Sequence, residues 1–405
     1  MKSILKELFF LIVKLLTALS NTVFFFRKKT IKRILLIPDF DDFGGTKTYF
    51  KQLLDFYAGS KFEISVFISA RQEEKIQDLV FYSSSNIKFI IESEDNSSRR
   101  KGRSHNLNLL NEICYIWLFV RKLRSDMVVV STGEPGKLVG ACILPVRFLY
   151  ILHTYPMHQM SFSRIALLKN NLGKTKKILT VSCFARENIL KFWRLHSKDI
   201  FIDVIYNSVF NEHLRNQLNS SKENKNGKIK ILTLGHVENY KKPELWIEVA
   251  QKIVKENQGK DIEFIWVGNG SLIDKCREQV RRLGTQQIQF VGFHEDVTQF
   301  YEVASIYFQP SLVESHGISV LEAMFYKIPC VVSSNGGLPE SVIDGVTGLV
   351  VDIENIEEMT KKINLLINNE SLRQKMGELS HARYSEKFSY CLWKNNMTKL
   401  HGNMI

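Results

Sequence analysis

Glu314 and Glu322 lie eight positions apart in the run ESHGISVLE, and both are residue types that can do chemistry. An ionised carboxylate accepts from two neighbouring hydroxyls at once, which suits a diol. The pair does not suit a retaining glycosidase. Such an enzyme holds its carboxyls about 5–5.5 Å apart, whereas eight helical residues rise about 12 Å. Lys241 and Lys242 are adjacent cations that fit either a phosphate or a solvated turn. In IPDFDDFGGTKTYF, Asp39 and Asp41 have the spacing of a metal-binding pair able to hold a diphosphate. Gly44-Gly45 in the same loop offers backbone N–H groups for that task without a metal. His153 closes the apolar run FLYILH, where it is either a core histidine or a ligand contact. No residue stands out as a nucleophile.

These side chains need a scaffold, and the hydrophobic pattern supplies one. Ile34–Ile37 is a branched apolar run that reads as a strand stopped at Pro38. After the glycines, Tyr49, Phe50, Leu53, Leu54 and Tyr57 recur at helical spacing. Further strands are expected at Ile64–Ser69, Lys88–Ile91, Met127–Ser131, Leu149–His153, Lys177–Val181 and Asp203–Tyr206, with helices between them. Residues 92–106, with the basic core Arg99–Arg103, read as a solvated loop. Residues 216–228 hold almost no apolar side chain and read as a linker. The alternation then restarts. Strands are expected at Ile229–Leu234, Ile262–Val267, Ile288–Val291, Ile306–Gln309 and Cys330–Ser333. Helices are expected at Pro243–Asn257, Ser271–Leu283, Val297–Ala304 and Ile318–Phe325, and a final one near Tyr384–Leu400. The fold class is therefore α/β, two doubly wound domains facing a cleft, with ligands at the carboxyl ends of the strands.

Charge and cysteine content narrow the classes further. Of the formal net charge of +13, eight basic side chains against Glu7 place +7 in the first 33 residues. A nucleic-acid binder spreads its basic charge over a folded face, so no nucleic acid is expected. Around a helix, Lys2, Lys6, Lys14, Thr17, Ser20 and Asn21 fall on one arc, and Ile4, Leu8, Leu11, Ile12, Leu15 and Leu19 fill the rest. That pattern suits a helix lying in an anionic membrane surface. A spanning anchor and an export signal are the alternatives, the former burdened by Lys14. The basic run Arg27–Arg33 would hold the body on the cytoplasmic face of the inner or plasma membrane. Six scattered cysteines without a Cys-x-x-Cys pair fit a reducing compartment.

The densest pattern lies between 264 and 352. It comprises Gly268-Asn269-Gly270, Pro310-Ser311, Glu314 and Glu322 flanking seven residues, Ala323-Met324, Pro329, Gly336-Gly337 with Pro339-Glu340, and Gly345 with Gly348. This ordered set closely resembles the nucleotide-sugar-binding domain of glycosyltransferase family 4, retaining enzymes of the GT-B fold. Weaker resemblance covers nearly the whole chain beyond residue 34. The expected domains are an amphipathic segment 1–30, an acceptor-binding Rossmann-like domain 31–218, a linker 219–228, a donor-binding Rossmann-like domain 229–383, and a C-terminal helix 384–405 packing back on the first domain.

The resemblance implies roles residue by residue. Glu314 would bind donor sugar hydroxyls and Glu322 the nucleotide ribose. The helix start at His316, Gly317 and Ile318 would meet the diphosphate, and the loop at Gly268 and Gly270 would meet the donor's base, largely through backbone. Lys241 matches the family lysine that neutralises the leaving group. The family arginine is replaced by His236, and imidazole is mostly uncharged at neutral pH. Gly44-Gly45 matches the family's first-domain glycine pair, and His153 its donor-sugar histidine. Lys241, Glu314 and His153 are thus the expected catalytic set. No metal or cofactor is expected, so Asp39, Asp41 and Asp42 become turn residues or acceptor contacts. Asn207 reads as structural, near the interdomain hinge. The implied activity is transfer of a sugar from a nucleotide-sugar donor to a glycan, plausibly a polyprenyl-diphosphate-linked one, in cell-surface polysaccharide synthesis such as lipopolysaccharide or capsule. The alternatives are a sugar-nucleotide epimerase or phosphorylase on the same fold, or an inactive sugar-nucleotide-binding subunit, which the His236 departure favours.

Overall fold

The computed structural model describes residues 30–39, 44–68, 79, 85–91, 105–195, 202–209 and 228–404. The amphipathic segment up to residue 29, Asp41, Asp42, the basic run Arg99–Arg103 and the linker before residue 228 lie outside the described residues. By its internal contacts the chain divides into two compact units. One holds the described residues up to Ile205 together with those from Lys394 onward, and the other spans Tyr206–Trp393.

The first unit is built on a parallel sheet of β1 (Arg33–Asp39), β2 (Glu63–Ile68), β3 (Ile87–Ile91), β4 (Met127–Thr132), β5 (Arg147–Leu152), β6 (Lys176–Thr180) and β7 (Ile202–Val204). Their spatial order is 3-2-1-4-5-6-7. Helices α1 (Gly45–Ala58), α2 (His105–Lys122), α3 (Phe162–Asn171) and α4 (Cys183–Phe192) connect them. Every residue of β4, β5 and β6 is buried. That explains runs such as MVVV in β4, continuously apolar rather than alternating, as expected for strands covered on both faces. On α1 the residues at helical spacing, Tyr49, Phe50, Leu53, Leu54 and Tyr57, are all buried. Two boundaries differ from the sequence reading. β1 runs through Pro38 to Asp39, with Pro38 paired beside Ser131 of β4. Helix α2 begins at His105, inside the stretch read as loop, because its apolar face starts with Leu109, Ile113 and Ile116 in the core.

The second unit repeats the plan with β8 (Ile229–Leu234), β9 (Ile262–Val267), β10 (Ile288–Gly292), β11 (Ile306–Gln309), β12 (Cys330–Ser333) and β13 (Gly348–Val351), in order 10-9-8-11-12-13. Between and after them come α5 (Pro243–Glu256), α6 (Ile273–Leu283), α7 (Thr298–Val303), α8 (Ile318–Phe325), α9 (Leu338–Ser341), α10 (Ile356–Asn368), α11 (Glu370–Lys387) and α12 (Tyr390–Met404). Strand β13 was not foreseen: four residues after a turn carry little periodic signal. It packs so closely on β12 that a Cβ at Gly348 would sit 2.3 Å from the Cys330 carbonyl oxygen. The final helix is two helices. Phe388 turns into the core of this unit and Ser389 receives the Trp393 N–H on its carbonyl, restarting the chain as α12. The end of α12 belongs to the first unit. There Arg147 Nε donates to the Met404 carbonyl (2.8 Å), and the Tyr57 hydroxyl meets His401 Nε2 (2.8 Å).

In each sheet the first strand lies between the second and the fourth, so the chain's winding reverses at β1/β4 and at β8/β11. Loops leaving the carboxyl ends on either side of such a reversal diverge and open a crevice for ligands. Among the described residues no helix is long and apolar enough to cross a membrane, and none of the six cysteines is in a disulfide.

Candidate functional site

At the reversal of the second unit, β8 delivers the loop Gly235–Lys242 and β11 delivers the loop Pro310–Gly317. Lys241 ends a short 3₁₀ turn, Asn239–Lys241, and its side chain is 9% exposed. It lies back along Gly235, where an added Cβ would come within 3.1 Å of Nζ. Lys241 Nζ stands 2.5 Å from Glu314 Oε1. The same oxygen accepts from Gln309 Nε2 (3.0 Å) and Ser311 Oγ (3.2 Å). The two residues that the sequence singled out from distant segments are thus in direct contact.

The Glu314 loop is held by the glycine pair after β12. Gly336 has φ +76, and a Cβ on it would fall 2.5 Å from the Glu314 carbonyl oxygen. One on Gly337 would fall 2.0 Å from the Ser315 carbonyl oxygen, and Gly337 N–H donates to the Glu314 carbonyl at 2.8 Å. The motif is therefore a backbone cradle for the loop. Gly268 and Gly270 act alike: Cβ atoms there would collide with the carbonyl oxygens of Gly235 and Val237. Glu238 ties the two loops by accepting from the N–H and hydroxyl of Ser271 (2.6 Å each). His236, beside Glu238, is partly buried and makes no hydrogen bond to a described residue.

Gly317 is the N-cap of α8 at φ +81, a conformation that side-chain-bearing residues avoid. Glycine supplies no capping side-chain oxygen, and while the Val320 N–H turns back to the Gly317 carbonyl (3.1 Å), the Ile318 and Ser319 N–H groups and their partial positive charge remain for an anion. One turn further on, Glu322 Oε2 accepts from the Tyr301 hydroxyl (2.7 Å). Burial pushes its carboxyl up to about 7, only partly opposed by that hydrogen bond. His316 turns inward. Its ring stacks on Tyr206 (5.0 Å) and Nε2 lies 3.2 Å from Ser341 Oγ. Burial lowers it to about 3, so the ring is neutral. Any ligand contact at this position falls to its backbone.

Gly44, Gly45 and His153 belong to the first unit, at its own reversal. Gly44, at φ +133, is the N-cap of α1. His153 follows β5, with Nε2 2.8 Å from Ser131 Oγ and the ring 4.5 Å from that of Tyr49. Burial lowers it to about 3, so it is a neutral hydrogen-bonding group and not a proton donor at neutral pH. Asp39 corrects the turn reading: it is the last residue of β1 and is buried. Its Oδ1 pairs with Lys137 Nζ (2.6 Å) and its Oδ2 accepts from Thr132 Oγ1 (2.7 Å). Both oxygens have protein partners, which leaves a poor metal ligand. Among the described residues no three His, Cys, Asp or Glu gather as a metal site.

Sequence reasoning missed Gln309, Tyr301, Thr132 and Lys137, and gave Ser311 only as a landmark. A signal existed for Gln309, the one polar residue closing the buried strand IYFQ. Lys137 gave none, because its partner lies 98 positions away. Asn207 is buried, and among the described residues its Oδ1 has no hydrogen-bond partner.

Comparison with known proteins bears directly on this unit. Residues 215–383 match the family model described as glycosyl transferases group 1. An uncharacterized glycosyltransferase of Methanocaldococcus jannaschii is 35% identical over 135 residues, 32% of this chain and 38% of that protein. An uncharacterized glycosyltransferase of Haemophilus influenzae is 27% identical over 267 residues, 64% of this chain and 72% of that protein. The GalNAc-alpha-(1->4)-GalNAc-alpha-(1->3)-diNAcBac-PP-undecaprenol alpha-1,4-N-acetyl-D-galactosaminyltransferase of Campylobacter jejuni is 26% identical over 148 residues, 36% of this chain and 40% of that protein. The match thus spans about two fifths of the first and third of these relatives. Among solved structures, a Rickettsia africae glycosyltransferase superposes with TM-score 0.71 at 17% identity, covering 93% of this chain and 99% of that one. Anabaena Alr3699/HepE in complex with UDP superposes with TM-score 0.68 at 16% identity, covering 91% and 98%. At such identities the likeness establishes the fold, two Rossmann-like units of the GT-B type.

Proposed function

Between residues 215 and 383 this chain is a glycosyl transferases group 1 domain on a GT-B fold, and from that premise we propose that it is a retaining glycosyltransferase using a nucleotide-sugar donor. The observation that carries the reading is the Lys241–Glu314 contact across the β8/β11 reversal, beside the open start of α8. A sugar diphosphate presents anionic oxygens and hydroxyls side by side, and this site presents an ammonium, free N–H groups and a carboxylate in the same order.

In the reaction the anomeric C–O bond to the diphosphate breaks and a bond to the acceptor hydroxyl oxygen forms on the same face. The acceptor's proton passes to the departing phosphate oxygen, so no protein base is required. Lys241 and the α8 N–H groups stabilise the charge that builds on the leaving group, which is the larger part of catalysis in such sites. Glu322 accepts from the ribose and Glu314 from the sugar. With fixed cationic and N–H groups in place, catalysis is metal-independent. The first unit is assigned the glycan acceptor. The basic, apolar N-terminal sequence and the undecaprenol-linked substrate in the Campylobacter relative's name support a lipid-linked acceptor at the cytoplasmic membrane face, in surface-polysaccharide synthesis.

The test is thermal stabilisation by UDP-, GDP- and dTDP-sugars, with and without chelator. A cognate donor at a hundred times its Kd adds roughly 2.7 kcal/mol. Absence of stabilisation by any of them overturns the reading, and loss with chelator overturns metal independence. Donor conversion without acceptor would instead identify an epimerase.

A further inference from the structure

Glu314 has two oxygens with unequal surroundings. Three donors converge on Oε1: Lys241 Nζ at 2.5 Å, Gln309 Nε2 at 3.0 Å and Ser311 Oγ at 3.2 Å. Among the described residues, Oε2 has no hydrogen-bond partner. One oxygen is saturated by the protein and the other is left for a ligand.

Gln309 decides this asymmetry. Its side chain is 1% exposed at the carboxyl end of β11. Its Oε1 lies 2.9 Å from the Tyr307 hydroxyl and 3.1 Å from Ser319 Oγ. The Tyr307 hydroxyl accepts from the Leu234 N–H (3.3 Å), and its own proton has the nearer acceptor in Gln309 Oε1 (2.9 Å) rather than in the Leu234 carbonyl (3.3 Å). Two hydroxyl donors fix the amide oxygen on the β8 and α8 side and force the amide N–H toward Glu314. The chain of bonds Leu234–Tyr307–Gln309–Glu314 thus anchors the carboxylate to the sheet. Lysine alone would not do this, since an ammonium on a flexible stem follows its partner.

We infer that Gln309 is a positioning residue for the donor's sugar: it pins Glu314 by Oε1 so that Oε2 faces the sugar hydroxyls. The inference rests on the donor reading above. Gln309 acts on the sugar and not on the nucleotide, so its loss is read only when a sugar is attached.

The experiment measures by calorimetry the affinities of the full chain for three matched pairs: UDP and UDP-glucose, GDP and GDP-mannose, dTDP and dTDP-glucose. The pair that binds the unaltered protein is then used with Gln309→Leu, Gln309→Met and Ser319→Ala. Removing a hydrogen bond to a charged group is expected to weaken the sugar nucleotide roughly tenfold. The bare nucleoside diphosphate should stay within about twofold. Gln309→Met keeps the length of the side chain but carries no N–H donor, so it should behave as Gln309→Leu and separates hydrogen bonding from packing. Ser319→Ala should shift the sugar nucleotide in the same direction by less, and keeps the test decisive if the Gln309 variants do not fold. Equal losses for both members of the pair, or no loss for either, overturn the inference and leave the donor reading standing. If no pair binds the unaltered protein, the donor reading falls and this inference falls with it.

Discussion

The two units place the same device at the same point and leave it in opposite states. In each, a lysine and a carboxylate meet across the reversal between first and fourth strands: Asp39 with Lys137 at β1/β4, and Lys241 with Glu314 at β8/β11. In the first unit the carboxylate is on the first strand and the lysine follows the fourth. In the second the order is exchanged. In the first unit both Asp39 oxygens are taken, by Lys137 and Thr132. In the second, all donors crowd onto one Glu314 oxygen. A closed pair staples two loops together. An open pair staples them and still has an acceptor to offer. The topology creates two candidate crevices, and hydrogen-bond accounting distinguishes them.

The largest effect should come from separating the pairs by substitution. Lys241→Ala removes the cation facing the leaving group, and losses of about 10²–10³ in turnover are typical for one such group. The loss should appear in kcat measured with a saturating donor identified by the stabilisation screen. Lys137→Ala should leave donor binding intact and lower stability by about 1–3 kcal/mol, since the buried Asp39 keeps only Thr132. Denaturant midpoints and donor-induced melting shifts read both quantities. If Lys137→Ala abolished donor stabilisation, or Lys241→Ala preserved it, the contrast would collapse.

A second, smaller effect concerns Glu322 and pH. Its carboxyl in the folded protein titrates near 7, above the ordinary value of 4.5. Between those values the folded state binds more protons than the unfolded state, so free-protein stability falls as pH rises through that window and levels off above it. The cost well above pH 7 is on the order of 3 kcal/mol. Donor binding needs the ionised form to accept ribose hydroxyls, so affinity should rise as pH passes 7. Glu322→Gln should therefore stabilise the free protein at pH 8, change little at pH 5, and weaken donor binding about tenfold at pH 8. Parallel melts at both pH values check the sign. Equal shifts at pH 5 and pH 8 would mean that the carboxyl is not the cause.

How legible this was in sequence depended on distance along the chain. Helix α8 was expected at Ile318–Phe325 and is found there, because its signals are local: Gly317 before it and apolar spacing within it. Glu314 and Lys241 were legible through the motifs around them, yet their contact was not, since 73 positions separate them. Tertiary partners without periodicity, such as Lys137 for Asp39 and Tyr301 for Glu322, left no mark on the sequence. Glycines were legible as landmarks but not in function. Gly336-Gly337 was a landmark of the resemblance with no role attached, and its action as a cradle is revealed only by the 2.0–2.5 Å collisions. His316 looked like a site residue because of its position, and its stacking on Tyr206 places it in the core.

The smallest prediction turns on a detail that the two devices share. Directly after each paired lysine comes a left-handed residue, Leu138 at φ +59 and Lys242 at φ +56. Each is the N-cap of the helix that follows, Val139–Ile143 and Pro243–Glu256. The left-handed turn costs a side-chain-bearing residue roughly 1–2 kcal/mol, and glycine avoids it at an entropic cost of about 0.5–1 kcal/mol. Backbone alone would make both glycine substitutions mildly stabilising. Packing separates them: Leu138 packs against the core of the first unit, whereas the Lys242 side chain belongs to no core cluster. Lys242→Gly is therefore expected to gain about 0.5 kcal/mol and leave donor affinity unchanged, since the φ that presents Lys241 is kept. Leu138→Gly should lose about 1 kcal/mol or more through exposed apolar surface. Opposite signs in paired melts would show that the left-handed turn serves to aim the lysine in both units, and that only in the first has its side chain also been built into the core. Equal signs would mean that the two turns are not the same device.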